Sequence, residues 1–273
     1  MDLITKILAF LDTRMTRPEV FGWFHFMWLG IIVVATVLLC KFLDPKKEKN
    51  VRAMLLVISV TCLVLELYKQ INYTFQVVDG VIVPDYQWYA FPLQFCNIPA
   101  FAGLLAGILG KGKVYDALCA FLGTFSLFAG ICVMIYPNDV FTTPIGINIE
   151  TMICHGAMVV QGIYLLASGY VKSDFRTVRR GTYVFSSVLV LAIALNEIAH
   201  YTDFTNGETF NLFYVSRHED PSLPVYSIVQ QYVPYPFCLI IYIFIFALAA
   251  FLITMISKGL LALHSKRKNK KAA

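Results

Sequence analysis

"KFLDPKKEKNVRAMLLVISVTCLVLELYKQINY", residues 41–73, passes from a cluster of cations into a long apolar run and then into a second polar stretch. About 20 apolar residues are what a helix needs to cross a hydrocarbon core roughly 30 Å thick. Lys41, Lys46, Lys47, Lys49 and Arg52 before the run mark its cytoplasmic end, because cytoplasmic loops collect Lys and Arg. At the far end Glu66, Lys69, Gln70 and Tyr73 recur at spacings of three and four, which aligns them on one helix face. Ionisable groups inside a span are costly to bury and by default mark a functional cavity.

The whole chain has the same character. Its 273 residues are 58% hydrophobic and 14% charged, with a mean hydropathy of +0.69, values that a water-soluble domain rarely reaches. Apolar runs cover approximately 22–43, 53–74, 91–109, 114–136, 149–171, 182–200 and 233–257. They are continuous rather than alternating, so helices are required and a barrel is excluded. The predicted fold class is therefore all-α, a polytopic membrane protein with seven transmembrane helices in one domain over 1–273. Seven spans put seventeen Lys and Arg on the side of residues 41–52, against Lys6, Arg14, Arg17 and Arg217 on the other. That asymmetry predicts the N-terminus outside and the C-terminus cytoplasmic. The net charge of +5 thus reports topology and not nucleic-acid binding, since the cations sit in juxtamembrane clusters.

The ends and the cysteines add detail. The first span begins too late and runs too long for a cleaved signal peptide. Ahead of it, Leu3, Ile4, Ile7, Leu8, Leu11 and Met15 recur at helical spacing, so residues 1–17 are expected to form a short amphipathic helix on the membrane surface. Residues 258–273 form a basic cytoplasmic tail whose terminal KKAA also fits an endoplasmic-reticulum retrieval signal. The seven cysteines lie one by one within spans without a C-x-x-C pair, which argues against a disulfide framework or a structural zinc site. No cofactor or metal motif and no internal repeat is present.

Depth gathers the polar residues. With the orientation above, Glu66, Lys69, Gln70 and Tyr73 fall in the outer half of the second span, and Asn196, Glu197 and His200 at the outer end of the sixth. Cys96 and His155 each lie about 9 Å below the outer boundary of inward-running spans. The inner halves hold almost nothing polar beyond Ser and Thr. One outward-facing pocket is expected, although Glu66 and Lys69 also fit an intrahelical pair that neutralises itself and Cys96 fits a packed core thiol.

A neutral imidazole within reach takes a proton from a thiol, and a carboxylate behind the ring fixes its tautomer. Cys96 and His155 are accordingly the candidate catalytic pair, with Glu66 or Glu197 as orienter. Gln94 and Asn97, three apart, are candidate donors to a developing oxyanion. Gly156 leaves a gap for a neighbouring helix or a substrate. Pro99 is expected to free the Phe95 carbonyl and kink the third span. Asn148 reads as the N-cap of the fifth span with Glu150 as its helix-dipole partner, which keeps Glu150 out of the catalytic set. The outer loops 74–91 and 201–237 are long and rich in aromatics, suited to cap the cavity or to sit in the interfacial belt.

The segments "PLQFCNI", "CHGAMVVQGIYL" and "LNEIAHYTDF" resemble the bacterial integral membrane proteins labelled YwaF, a family similar to the animal transmembrane protein 164 family. The likeness spans nearly the whole chain. It implies a cysteine-dependent acyltransferase that moves fatty acyl chains between phospholipids, with Cys96 in the place of the acyl-accepting cysteine and His155 in that of its base. It also implies a bacterial cell membrane as location and a phospholipid or lyso-lipid as partner. Bacterial members commonly carry histidine where this chain has Gln94, so the resemblance assigns no second base there.

Three readings compete. The first is acyl transfer or acyl-ester hydrolysis through the Cys–His pair. The alternative is small-solute binding or proton-coupled transport through the same pocket, against which the lack of an inverted repeat weighs. The third is a receptor-like or structural protein, and a rhodopsin is disfavoured because 233–257 holds no lysine for a Schiff base. Oligomeric state is left open by the sequence.

Overall fold

A computed structural model describes residues 2–220 and 224–272. The chain begins with α1 (Leu3–Leu11), whose first turn is capped by the Asp2 carboxylate accepting from Thr5 N at 2.8 Å. Leu3, Ile4 and Ile7 are exposed while Leu8 is buried, so α1 keeps an apolar outer face as its pattern predicts. It docks on the end of α3 (Glu48–Asn72): the Leu11 carbonyl accepts from Tyr68 Oη at 2.8 Å and from Asn72 Nδ2 at 3.2 Å.

Six helices among the described residues are long and apolar enough to cross a membrane. They are α2 (Trp23–Phe42), α3, a run made of α5 (Lys113–Phe121) and α6 (Leu127–Ile135) joined by a π-turn over Leu122–Ser126, then α7 (Ile145–Ala167), α8 (Phe175–Thr202) and α10 (Tyr235–Ala272). A short α9 (Pro224–Gln230) precedes the last. Their outward positions carry large exposed aliphatic and aromatic side chains, as lipid-facing surfaces require.

The run predicted over 91–109 departs from a continuous helix. Residues 91–97 form consecutive turns, and only α4 (Ile98–Leu109, 12 residues) is helical, a length of about 18 Å. Pro99 explains the difference, and the expected kink does not occur. The proline stands in the first turn of α4, where its missing N–H has no intrahelical partner to lose, so it starts the helix. The segment still runs antiparallel to α3 over that helix's length. At one end Gln70 Nε2 donates to Ala90 O at 2.8 Å, and at the other Arg52 donates to Gly107 O at 2.9 Å and Ile108 O at 3.0 Å.

Two further expectations are corrected. The fold is not purely helical: β1 (Phe75–Val78) pairs antiparallel with β2 (Val81–Pro84), and Asp79 and Gly80 turn between them with φ of 51° and 79°. Positive φ at both central residues is the hairpin geometry that an Asp-Gly pair favours. Asn148 is not an N-cap. α7 begins at Ile145, and the Asn148 amide instead bridges Thr142, accepting from its N–H and donating to its carbonyl at 2.8 Å each.

α7 lies at the centre, buried along most of its length against α2, α3 and α6. Gly130 on α6 permits that approach, because a Cβ there would lie 2.8 Å from Met158 Cβ and 3.0 Å from the His155 carbonyl oxygen. Gly156, on the opposite side of α7, faces Ile32 of α2; the gap is filled by a helix and not by a substrate.

Candidate functional site

The turn at 94–97 holds four side chains in three environments. Phe95 is the anchor, its ring 5.1 to 6.3 Å from those of Phe121, Phe185, Phe213 and Phe246. Gln94 is tied to the loop between α8 and α9, donating to Asn211 O and accepting from Phe213 N, both at 3.2 Å, and donating to Tyr89 O at 3.1 Å. With every polar atom of Gln94 committed to backbone, it fixes the wall of the site and is no free oxyanion donor. Cys96 and Asn97 face the interior. The Cys96 thiol lies 3.8 Å from Asn97 Oδ1, while the buried Asn97 Nδ2 has no hydrogen-bond partner among the described residues. A buried amide N–H without a partner is uncommon enough to require an explanation.

Both residues line a cavity of about 720 Å³ that reaches across to α7. Its polar floor is formed by Lys69, Cys96, Asn97, Glu150, Thr151 and His155, and its walls by rings and aliphatic groups such as Phe128, Val133, Phe141, Ile245 and Phe246. His155 is 6% exposed, and its Nδ1 lies 2.8 Å from the Thr151 carbonyl one turn earlier. A carbonyl only accepts, so Nδ1 carries the hydrogen and the neutral ring has its lone pair on Nε2. His25 on α2 shows the contrast. Its Nδ1 accepts from Phe21 N at 3.0 Å and its Nε2 donates to Met134 O at 2.8 Å, which makes it a structural crosslink with no nitrogen to spare. His155 keeps one nitrogen without a partner among the described residues.

Beside the thiol and the imidazole sits a buried charge cluster. Lys69 Nζ pairs with Glu66 Oε2 at 2.5 Å and lies 3.9 Å from Glu150 Oε1. Gln70 donates to Glu66 Oε1 at 2.7 Å and to Ala90 O, and Tyr86 Oη donates to Gln70 Oε1 at 2.7 Å. Tyr73 lines the cavity next to Tyr89. Glu66 is thus engaged with Lys69 and Gln70, and the group that holds His155 is a backbone carbonyl, not either of the predicted carboxylates.

Glu150 is the residue that sequence reasoning set aside. It is 3% exposed, it is the second carboxylate on Lys69, and it accepts from Thr151 Oγ1 at 3.3 Å. Its signal lay in the spacing: Glu150, Thr151, Cys154 and His155 follow a three-to-four residue period and share one face of α7.

The three residues on α8 lie elsewhere. Asn196 clamps the loop to α9, accepting from Leu212 N at 2.8 Å and donating to Leu212 O at 3.1 Å. Glu197 accepts from Arg217 at 2.7 Å and sits 3.2 Å from His218 Nε2; its carboxylate raises the Arg217 guanidinium above its ordinary value. His200 stacks on His218 with ring centroids 3.5 Å apart. None of the three lines the cavity; they hold the segment that supplies Phe213 and Tyr214 to its wall. Phe213 and Tyr214 have φ of 59° and 57°, a left-handed pair that non-glycine residues adopt only under constraint. The constraint is visible: Gln94, Asn196 and Tyr242 together bond both backbone groups of Leu212 and of Phe213. The two aromatic loops do meet, Trp88 against Phe204 at 5.0 Å and Phe91 against Phe210 at 5.3 Å.

The sequence pattern that defines the TMEM164 family matches residues 20–255, which include every residue of this cavity, and the chain belongs to that family. No curated protein and no solved structure matches it.

Proposed function

Because the chain is a TMEM164 family member whose cavity holds a thiol and an imidazole, we propose that it transfers or hydrolyses acyl groups of membrane lipids through Cys96 and His155. The observation that carries this reading is that Cys96, the unpartnered Asn97 amide and a His155 ring locked by the Thr151 carbonyl line one cavity with apolar walls. An acyl ester suits such a space, its chain against the rings and its carbonyl at the polar floor. The thiol proton passes to His155 Nε2 as sulfur bonds to the ester carbonyl carbon. The carbonyl oxygen becomes an oxyanion stabilised by Asn97 Nδ2–H. Collapse breaks the ester C–O bond, and the leaving alkoxide takes the proton from the imidazolium and departs as a lyso-lipid. The thioester then yields to a lyso-lipid hydroxyl in transfer, or to water in hydrolysis, with His155 accepting the proton of the incoming group.

In this reading the chain crosses a bacterial cell membrane seven times. The segment 90–109 makes the third crossing as a turn followed by the half-length α4, and the outer end bears α1 and the aromatic loops. The proposal is tested by labelling the purified protein with a fluorophosphonate or haloacetamide lipid and mapping the adduct. Modification confined to Cys96 and lost in Cys96→Ser supports it; unchanged lipid turnover by Cys96→Ala overturns it.

The buried cluster of Lys69 between Glu66 and Glu150 favours a second reading, a small-solute or proton-coupled site in the same cavity. Solute-dependent flux that survives loss of Cys96 distinguishes it.

A further inference from the structure

A second cavity, of about 710 Å³, lies at the opposite end of the bundle from the aromatic loops, where α5, the α7–α8 connection and the start of α8 converge. It is lined by Lys172, Arg176 and Arg180, by two carboxylates, and by Tyr115, Val171 and Phe175. The carboxylates are already engaged. Asp116 pairs with Arg180 at 3.1 Å, and Asp174 accepts from Thr177 N at 2.9 Å. Lys172 and Arg176 make no ion pair among the described residues, and with three cations against two carboxylates the lining keeps a net charge of +1. Tyr115 and Tyr170, both in the lining, bond each other through their hydroxyls, 2.5 Å apart. Phe175, next to Arg176, points an exposed ring outward.

We infer that this cavity binds a phosphate-bearing anion, the headgroup of an anionic glycerophospholipid or the same chemistry on a soluble phosphate ester. The argument is one of matching chemistry. A guanidinium and an ammonium beside it recognise phosphate oxygens. Basic pockets between membrane helices on the cation-rich side take anionic headgroups, because the bilayer delivers the apolar part of the ligand to the same depth. Here Val171, Tyr115 and the outward Phe175 ring provide that apolar margin beside the cations. A second basic cluster, Lys46, Lys47 and Lys49, lies outside this lining, so it serves as an internal control for charge alone.

The test is a native mass spectrometry titration of the full chain in detergent with dioleoylphosphatidylglycerol, dioleoylphosphatidylcholine and glycerol 3-phosphate, alongside melting temperature. Expected is preferential retention of phosphatidylglycerol, weakened about thirtyfold in Lys172→Ala/Arg176→Ala because each juxtamembrane cation contributes about fivefold in affinity. A Lys46→Ala/Lys47→Ala/Lys49→Ala protein should bind as the parent does. Competition by glycerol 3-phosphate would place the recognition in the headgroup and admit a soluble source; its absence would identify the lipid as the ligand. Equal retention of the two lipids, or equal loss in both charge-removed variants, overturns the inference. Cys96→Ala should leave the binding unchanged, so failure here and failure of the acyl-transfer reading are separate results.

Discussion

The His155 imidazole is held by the Thr151 carbonyl of its own helix, 2.8 Å from Nδ1, with Nε2 left for the cavity. No second residue is needed to choose the tautomer, since helix geometry sets the ring one turn above an acceptor. His155→Gln should therefore fold, because the long amide reaches toward the same carbonyl, yet lower acyl transfer by about 10²–10⁴-fold, the usual contribution of a positioned general base. The measurement is lipid turnover by purified variant and parent at matched melting temperature. Turnover within about threefold of the parent's, far short of what a positioned base supplies, would remove His155 from the mechanism.

Asn97 and Gln94 are separated by the same logic. Among the described residues the Asn97 Nδ2 has no partner and the Gln94 amide has three. Asn97→Ala should lower kcat by about 10²–10³-fold with KM little changed, as for loss of an oxyanion donor. Gln94→Ala should act on stability, by about 1–3 kcal/mol, because it leaves backbone groups of Asn211 and Phe213 unpaired. Kinetics and thermal unfolding of the two variants should move in opposite columns; the same pattern for both would show that the assignment of roles is wrong.

Lys69 holds two buried carboxylates, Glu66 at 2.5 Å and Glu150 at 3.9 Å. Lys69→Met removes the cation and leaves both acids uncompensated, which should destabilise by about 3–5 kcal/mol. Adding Glu66→Gln to Lys69→Met should recover part of that loss, since one of the stranded charges is gone. Denaturation of the single and double variants reads the coupling directly, and strict additivity would mean that the pair does not interact.

What the sequence made legible follows from where the physics is local. Apolar run length depends on the chain and the bilayer alone, so six of the predicted runs appear as long helices, although α8 begins seven residues before its predicted start and α10 runs fifteen past its predicted end. Depth along a helix axis does not say which way a side chain points, so Asn196, Glu197 and His200 fall outside the cavity that Gln94 does line. Asn196 and Glu197 share their level with the cavity but project toward the 203–218 loop. The hairpin at 75–84 carries a local signal, since Asp79-Gly80 between two β-branched runs is a strong turn pair. Pro99 was ambiguous for a different reason, since the same missing N–H kinks a helix in mid-span and starts one at its first turn. Only the knowledge that residues 91–97 are anchored by Phe95 in an aromatic cluster decides between them.

A close helix approach in the core gives the last prediction. At Gly130 an added Cβ would meet the Met158 Cβ at 2.8 Å and the His155 carbonyl oxygen at 3.0 Å, atoms that move only if α7 moves. At Gly156 an added Cβ would meet Ile32 Cδ1 at 2.0 Å, the far end of a side chain on the lipid-facing α2. Gly130→Ala should therefore destabilise by about 1–3 kcal/mol through overpacking, and should also shift His155 within the cavity and so depress turnover. Gly156→Ala should be rescued when Ile32→Val shortens the opposing chain, whereas no single side-chain truncation should restore Gly130→Ala. Melting temperature and turnover of the four proteins decide the matter: recovery of Gly130→Ala by Met158→Ala would show that the contact with backbone is not the one that limits α6 and α7.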